Sequence, residues 1–160
     1  MELKRVVVTG LGAVTPVGNT PEETWANLVA GKSGAGPISL FDASNFKTQF
    51  ACEVKDLNVT DYIDRKEVRK MDRYCQLAMI SAMQGVKDAG LDLEKEDKTR
   101  IGVVYGVGIG GIKTFQDEVT YYGQHMADGP KFNPFFIPKM IADIASGQIS
   151  INFGFHGPNY

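Results

Sequence analysis

Two short, almost uninterrupted apolar runs stand out in the chain, Arg5–Thr9 with three successive valines and Ile101–Tyr105. Runs without polar alternation fit strands covered on both faces, as in a parallel sheet. Each leads into glycines, Gly10 and Gly12 after the first and Gly106–Gly111 after the second. Between them Thr20-Pro21-Glu22-Glu23 marks a helix start: Thr20 can cap, Pro21 suits the first helical position and Glu23 completes a capping box. That helix is predicted to run through Trp25, Leu28 and Val29 to Gly31. Residues 32–45 read as a loop and Phe50–Val54 as a short strand. Val68, Met71, Cys75, Ala78, Ala82, Val86 and Ala89 step by three and four, which predicts one long helix from Arg65 or Lys66 to a stop at Gly90. A further helix is predicted from Ile112 to about Met126, then a polar loop from Asp128 to Pro134 that includes Pro130. Pro138 reads as the start of a last helix with Ile141, Ile144, Ala145 and Ile149 on its apolar face and Gly154 at its end. Gly157-Pro158-Asn159-Tyr160 reads as the entrance to another strand. This alternation predicts a layered α/β fold with a mostly parallel sheet.

Composition narrows the partners. A length of 160 residues suffices for one domain with a core, and 43% hydrophobic with 22% charged residues is ordinary for a soluble globular protein. A net charge of −2 argues against nucleic acid as the main partner. No apolar stretch reaches membrane-spanning length, so no membrane insertion is expected. Lys4 and Arg5 before the first run imitate a leader, but Gly10, Gly12 and Pro16 interrupt it without a cleavage pattern. Cys52 and Cys75 are the only cysteines and form no Cys-x-x-Cys pair, so they read as reduced packing residues in a cytoplasmic setting. His125 and His156 have no partner at triad or metal-site spacing and read as surface or loop histidines.

Two segments carry candidate chemistry. Gly106-Val107-Gly108-Ile109-Gly110-Gly111 matches G-x-G-x-x-G between a predicted strand and a predicted helix, which allows a nucleotide-binding oxidoreductase reading. Against it, no acidic residue closes a next strand about 20 residues on. The first glycine turn fails the pattern at Thr15. Arg65, Lys66, Arg69, Lys70 and Arg73 crowd onto the predicted N-terminus of the long helix, where the dipole disfavours cations. That cluster is either a solvated face or a dock for an anionic partner.

The opening Val6-Val7-Val8-Thr9-Gly10-Leu11-Gly12-Ala13-Val14-Thr15-Pro16-Val17-Gly18-Asn19 resembles the N-terminus of the β-ketoacyl-acyl carrier protein synthases of the thiolase superfamily. Arg65-Lys66-Glu67-Val68-Arg69-Lys70-Met71-Asp72 resembles the matching stretch of their chain-elongating branch, the 3-oxoacyl-acyl carrier protein synthase II type. The resemblance covers residues 1–160 and implies the N-terminal part of a thiolase-like fold, with the C-terminal half and the nucleophile beyond Tyr160. It implies decarboxylative condensation of a malonyl unit with an acyl-enzyme thioester in the complete protein, with this chain inactive alone. No cofactor or metal is implied, and no catalytic residue can be placed here. Lys66, Arg69, Lys70 and Lys131 are then expected to receive an acidic acyl carrier protein. Ile109 takes the position of an acyl-pocket gate, though it could simply fill core. Phe135 and Phe136 fall at a homodimer interface beside the partner's acyl tunnel, though at least one could serve as a packing staple. The alternative is a non-catalytic chain-length-factor subunit of a polyketide system, which a glutamine in place of the nucleophile would reveal.

Overall fold

The computed structural model describes residues 4–129 and 131–160, so Pro130 of the predicted polar loop lies outside the described residues. The chain forms two units. One runs to Asn58 and takes in Met83–Gly90; the other holds Val59–Ala82 and Leu91–Tyr160.

In the first unit, α1 (Pro21–Val29) starts as its sequence predicts. Thr20 accepts a hydrogen bond from Glu23 N, and the Glu23 carboxylate accepts one from Asn19 N at 2.7 Å, one residue before the expected partner. The helix closes at Ala30, and Gly31 follows with φ of 67°. The glycine turn before it is stitched to the last turns of the long helix. Leu11 N donates to Asp88 at 2.8 Å, Ala13 N to the Gln84 side-chain oxygen at 2.9 Å, and Gln84 Nε2 to Asn19 O at 2.7 Å. Gly10 is required there, because a Cβ would come within 2.4 Å of Gly85 O. β1 (Ala35–Pro37) pairs antiparallel with β2 (Phe50–Cys52), Gly36 facing Ala51. The predicted loop at 32–45 thus contains a strand, and the predicted strand at 50–54 is shorter. The expected doubly covered strand at Arg5–Thr9 is not found. It carries no strand or helix assignment, and Val6, Val7 and Val8 are 89%, 60% and 81% exposed. A strand needs a backbone partner to hold its polar groups, and no described residue supplies one.

The predicted long helix is broken into α2 (Arg65–Val68) and α3 (Arg73–Asp88), which lie in the second unit up to Ala82, the last turns of α3 belonging to the first. The apolar stripe passes through the break because Met71 and Cys75 both face the core, 7% and 1% exposed. Asp72 ends the continuity: its carbonyl accepts the first helical bond, from Gln76 N, and its carboxylate accepts from Tyr74 N at 3.3 Å. The middle of α3 is enclosed, Ala78, Met79 and Ile80 being nearly inaccessible. Four backbone bonds of 2.8 to 3.0 Å join 101–105 to 157–160: Gly157 N to Ile101 O, Val103 N to Pro158 O, Tyr160 N to Val103 O and Tyr105 N to Tyr160 O. The bridge between Val103 and Asn159 is parallel, as both runs predict. Gly102 and Gly157 permit this approach; a Cβ on either would stand 2.6 Å from the opposite backbone.

After the glycine loop come α4 (Ile112–Gln124), α5 (Phe136–Met140) and α6 (Ile144–Phe153). The predicted last helix is therefore two, separated at 141–143, with Gly154 closing α6 at φ of 71° as expected. Asn159 fastens the parallel pair to α6, its side chain bonding Ser146 and Ser150.

Candidate functional site

Ile109, Ile112, Phe115, Met140, Ile141 and Ala142 surround an open apolar hollow of about 380 Å³ in the second unit. Its shape follows from the glycine loop. Gly111 N donates to Met140 O at 3.0 Å, and a Cβ on Gly111 would lie 2.1 Å from Lys139 O. Gly110 has φ of 87° and is equally confined, its Cβ position 2.6 Å from Met140 O. These two residues must be glycine for the loop to lie against 139–142, whereas Gly106 and Gly108 face open space. Ile109 is 73% exposed at the rim, so it does not fill core.

The two candidate phenylalanines separate. Phe136 stacks on Phe115 at 6.3 Å and on Phe132 at 5.2 Å, and Phe132 stacks on Tyr122 at 5.0 Å. It is the packing staple of α4 and α5 and stands behind one wall of the hollow. Phe135 is 41% exposed and is not among the lining residues. Lys131 lines a different hollow of about 510 Å³, with Asp117, Glu118, Tyr121, Phe132 and Asn133.

The basic segment lies elsewhere on the helix than the sequence suggests. Arg65 and Lys66 belong to the short α2, Arg69 is its C-cap, and only Arg73 occupies the start of α3. The expected helix-dipole penalty therefore does not apply to Arg69 or Lys70, and Arg69 sits at the end that favours a cation, whereas Lys66 stays in the first turn of α2. Lys70 pairs with Glu67 at 2.6 Å. Among the described residues Lys66 and Arg69 make no ion pair and are exposed.

Neither cysteine has the surroundings of a nucleophile. Cys75 is 1% exposed, and burial, with a smaller contribution from the Asp72 charge, pushes its thiol up to about 11. A reactive thiolate needs the opposite shift. Cys52 is exposed on β2. His125 is held by stacking on Tyr121 at 4.1 Å and a 2.9 Å contact to the Tyr121 carbonyl. Among the described residues no group of three or more metal-ligating side chains is placed to hold an ion, and no helix is long and apolar enough to cross a membrane.

The nucleotide reading of the glycine loop fails on geometry. A phosphate would need free amides at the start of α4. Gly111 N is engaged by Met140 O, and Thr114 N points at the Asp72 carboxylate at 3.3 Å. A carboxylate already occupies the position an anion would take.

Sequence reasoning missed the residues that brace the hollow. Asp72 Oδ2 accepts from both Thr114 Oγ1 and Thr114 N, and the Tyr74 hydroxyl donates to Ile141 O. The Asp72 cap was legible as an Asp ahead of a helical turn, but it lay inside an unbroken apolar period. Nothing in the sequence signals its partner on α4.

Residues 3–160 match the profile of the β-ketoacyl synthase N-terminal domain. The 3-oxoacyl-[acyl-carrier-protein] synthase 2 of Synechocystis sp. is 47% identical over 160 residues, 99% of this chain and 38% of that protein. The enzyme of the same name from Coxiella burnetii is 46% identical over 160 residues, again 99% of this chain and 38% of the relative. Among solved structures, the ishigamide ketosynthase/chain length factor superposes with a TM-score of 0.84 at 27% identity, covering 96% of this chain and 38% of that one. The chain spans well under half the length of these relatives. With a profile match across nearly every residue and a thiolase-like fold shared with solved ketosynthases, the chain belongs to the β-ketoacyl synthase family, in its N-terminal domain.

Proposed function

We propose that the whole protein is a 3-oxoacyl-acyl carrier protein synthase that lengthens fatty acyl chains. The observation that carries this reading is the apolar hollow rimmed by Ile109 and walled by Ile112 and Phe115, in a chain 47% identical to a synthase of that name. An acyl chain gains about 0.8 kcal/mol for each methylene it buries, so an apolar recess gives it affinity without polar contacts. In the reaction, the bond from the malonyl α-carbon to its carboxylate breaks and carbon dioxide leaves. The freed electron pair forms a carbon–carbon bond with the acyl thioester carbonyl, and the enzyme thiolate departs. This chain's part is to hold the acyl group, Ile109 acting as rim, Phe136 backing Phe115, and Phe135 offering an exposed apolar surface for a second copy in a homodimer.

Lys66, Arg69 and Lys70 are proposed to receive the carrier protein, whose acidity would complement an exposed basic segment. Lys131 belongs to this surface on sequence resemblance alone; its neighbours Asp117 and Glu118 offset its charge. A second reading, a subunit that pairs with a ketosynthase without catalysing condensation, draws on the likeness to the 27%-identical ishigamide ketosynthase/chain length factor. Incubating the whole protein with acyl- and malonyl-carrier protein separates the two. Carbon dioxide release with a carrier-bound 3-oxoacyl product two carbons longer is expected. Unchanged acyl-carrier protein overturns the synthase reading.

A further inference from the structure

The start of α4 has no cap of its own. Its N-cap residue is Gly111, which makes no side-chain bond and cannot be exchanged for Ser, Thr, Asp or Asn because Lys139 O fills the space of a Cβ. The missing cap comes from Asp72. One carboxylate oxygen bonds Thr114 N and Oγ1 in the first turn of α4, and the other bonds Tyr74 N in the first turn of α3. A charged acceptor shared by two helix N-termini is worth more than a neutral one. Two residues on, the Tyr74 hydroxyl donates to Ile141 O, in the segment that forms the opposite wall of the hollow. Burial, and then the neighbouring charges of Cys75, Asp72 and Asp143, raise the Tyr74 phenol above its ordinary value, so it remains a donor across the working range of pH.

The geometry points to Asp72 and Tyr74 as positioning residues that set the separation of the hollow's two walls and hence the acyl length the protein accepts. Asp72 holds the wall carrying Ile112 and Phe115, and Tyr74 holds the wall carrying Ile141. Both lie within four residues of the end of the basic segment 65–70, so a partner seated on that segment would stand close to the two residues that fix the hollow. This inference rests on the hollow being an acyl site.

The test compares kcat/KM for a short and a long acyl primer in the whole protein, for wild type, Asp72→Ala and Tyr74→Phe. Tyr74→Phe removes one hydroxyl and keeps the ring, so it remains informative if Asp72→Ala does not fold. Each change is expected to shift the long-to-short ratio about fivefold toward longer primers, the size of one ordinary hydrogen bond. Thr114→Val removes only the hydroxyl bond and is expected to shift the ratio in the same direction as Asp72→Ala by a smaller factor, and Thr114→Ser to keep the wild-type ratio. The Asp72→Ala and Thr114→Val effects should not multiply in the double variant. Equal loss for both primers, or an unchanged ratio in a folded Tyr74→Phe protein, overturns the assignment. A wild type that elongates no primer removes the acyl-site reading instead, and the inference with it.

Discussion

The two valine-rich runs have nearly the same sequence character but differ in backbone pairing, although Val104 at the centre of the second is still 79% exposed. Val103 and Tyr105 lie in a parallel pairing with 157–160, closed on one side by Asn159 and α6. Val6, Val7 and Val8 lie bare, with only the glycine turn after them fastened to α3. The two cysteines divide the same way, Cys75 sealed in the unit with the pairing and Cys52 exposed in the other. A strand needs a backbone partner in the plane of its sheet, and that partner is specified somewhere else in the sequence. For the second run that partner is the Gly-Pro-Asn-Tyr segment, whose glycine lets two backbones meet.

The contrast can be broken most forcefully at Gly157. A methyl group there would press 2.6 Å from Ile101 C and O, so Gly157→Ala is expected to lose about 3 kcal/mol in denaturant titration. A loss below about 0.5 kcal/mol would mean that the pairing does not form in solution.

Alkaline pH should act on the same unit. The Cys75 thiol titrates near 11 when folded against an ordinary value of 9.0. The unfolded chain therefore releases its proton first, and the stabilisation is complete below pH 9 and lost as pH rises through about 11. A loss on the order of 2 kcal/mol over that interval should shrink in Cys75→Ala, leaving the smaller part above pH 10 that comes from the raised Tyr74 phenol. Consistent with burial, a thiol reagent should label Cys52 in the folded protein and Cys75 only on unfolding.

Asn159→Ala removes the bonds to Ser146 and Ser150 and should cost about 1.5 kcal/mol, read from the melting temperature. The smallest effect belongs to the bare run, where Val6→Thr should change stability by less than about 0.5 kcal/mol. A loss of about 2 kcal/mol there would show that the run is covered in solution, and the comparison would collapse.

Much of the local structure was legible because it depends on neighbours in sequence. The Thr20-Pro21-Glu23 start, the Gly90 and Gly154 stops and the span of α4 all follow from caps and periodicity. Two helix breaks were not legible. At 69–72 the apolar stripe continues through a turn because Met71 reaches the core with or without a helix beneath it, and at 141–143 the isoleucines disguise a change of direction. The candidate site divides along the same line. Ile109 and the glycine loop carry a local pattern, and the hollow beside them is what that pattern allows. The brace from Asp72 to Thr114 joins residues 42 positions apart and leaves no trace in either segment alone. The basic cluster was visible as composition, but its place relative to the helix ends depended on the break that the periodicity concealed.

The most direct test of the account asks whether the basic segment serves the carrier protein while the hollow serves the acyl chain. Lys66, Arg69 and Lys70 are changed together to Glu in the whole protein, and acyl transfer is measured from acyl-carrier protein and from a small acyl thioester. At low salt the carrier-protein kcat/KM should fall about tenfold or more, and the wild-type value should itself decline as salt screens exposed charges over about 10 Å at 0.1 M. Transfer from the small thioester should stay near wild type. Equal loss with both donors would make the segment structural, and full carrier-protein rate in the triple variant would place the docking surface elsewhere.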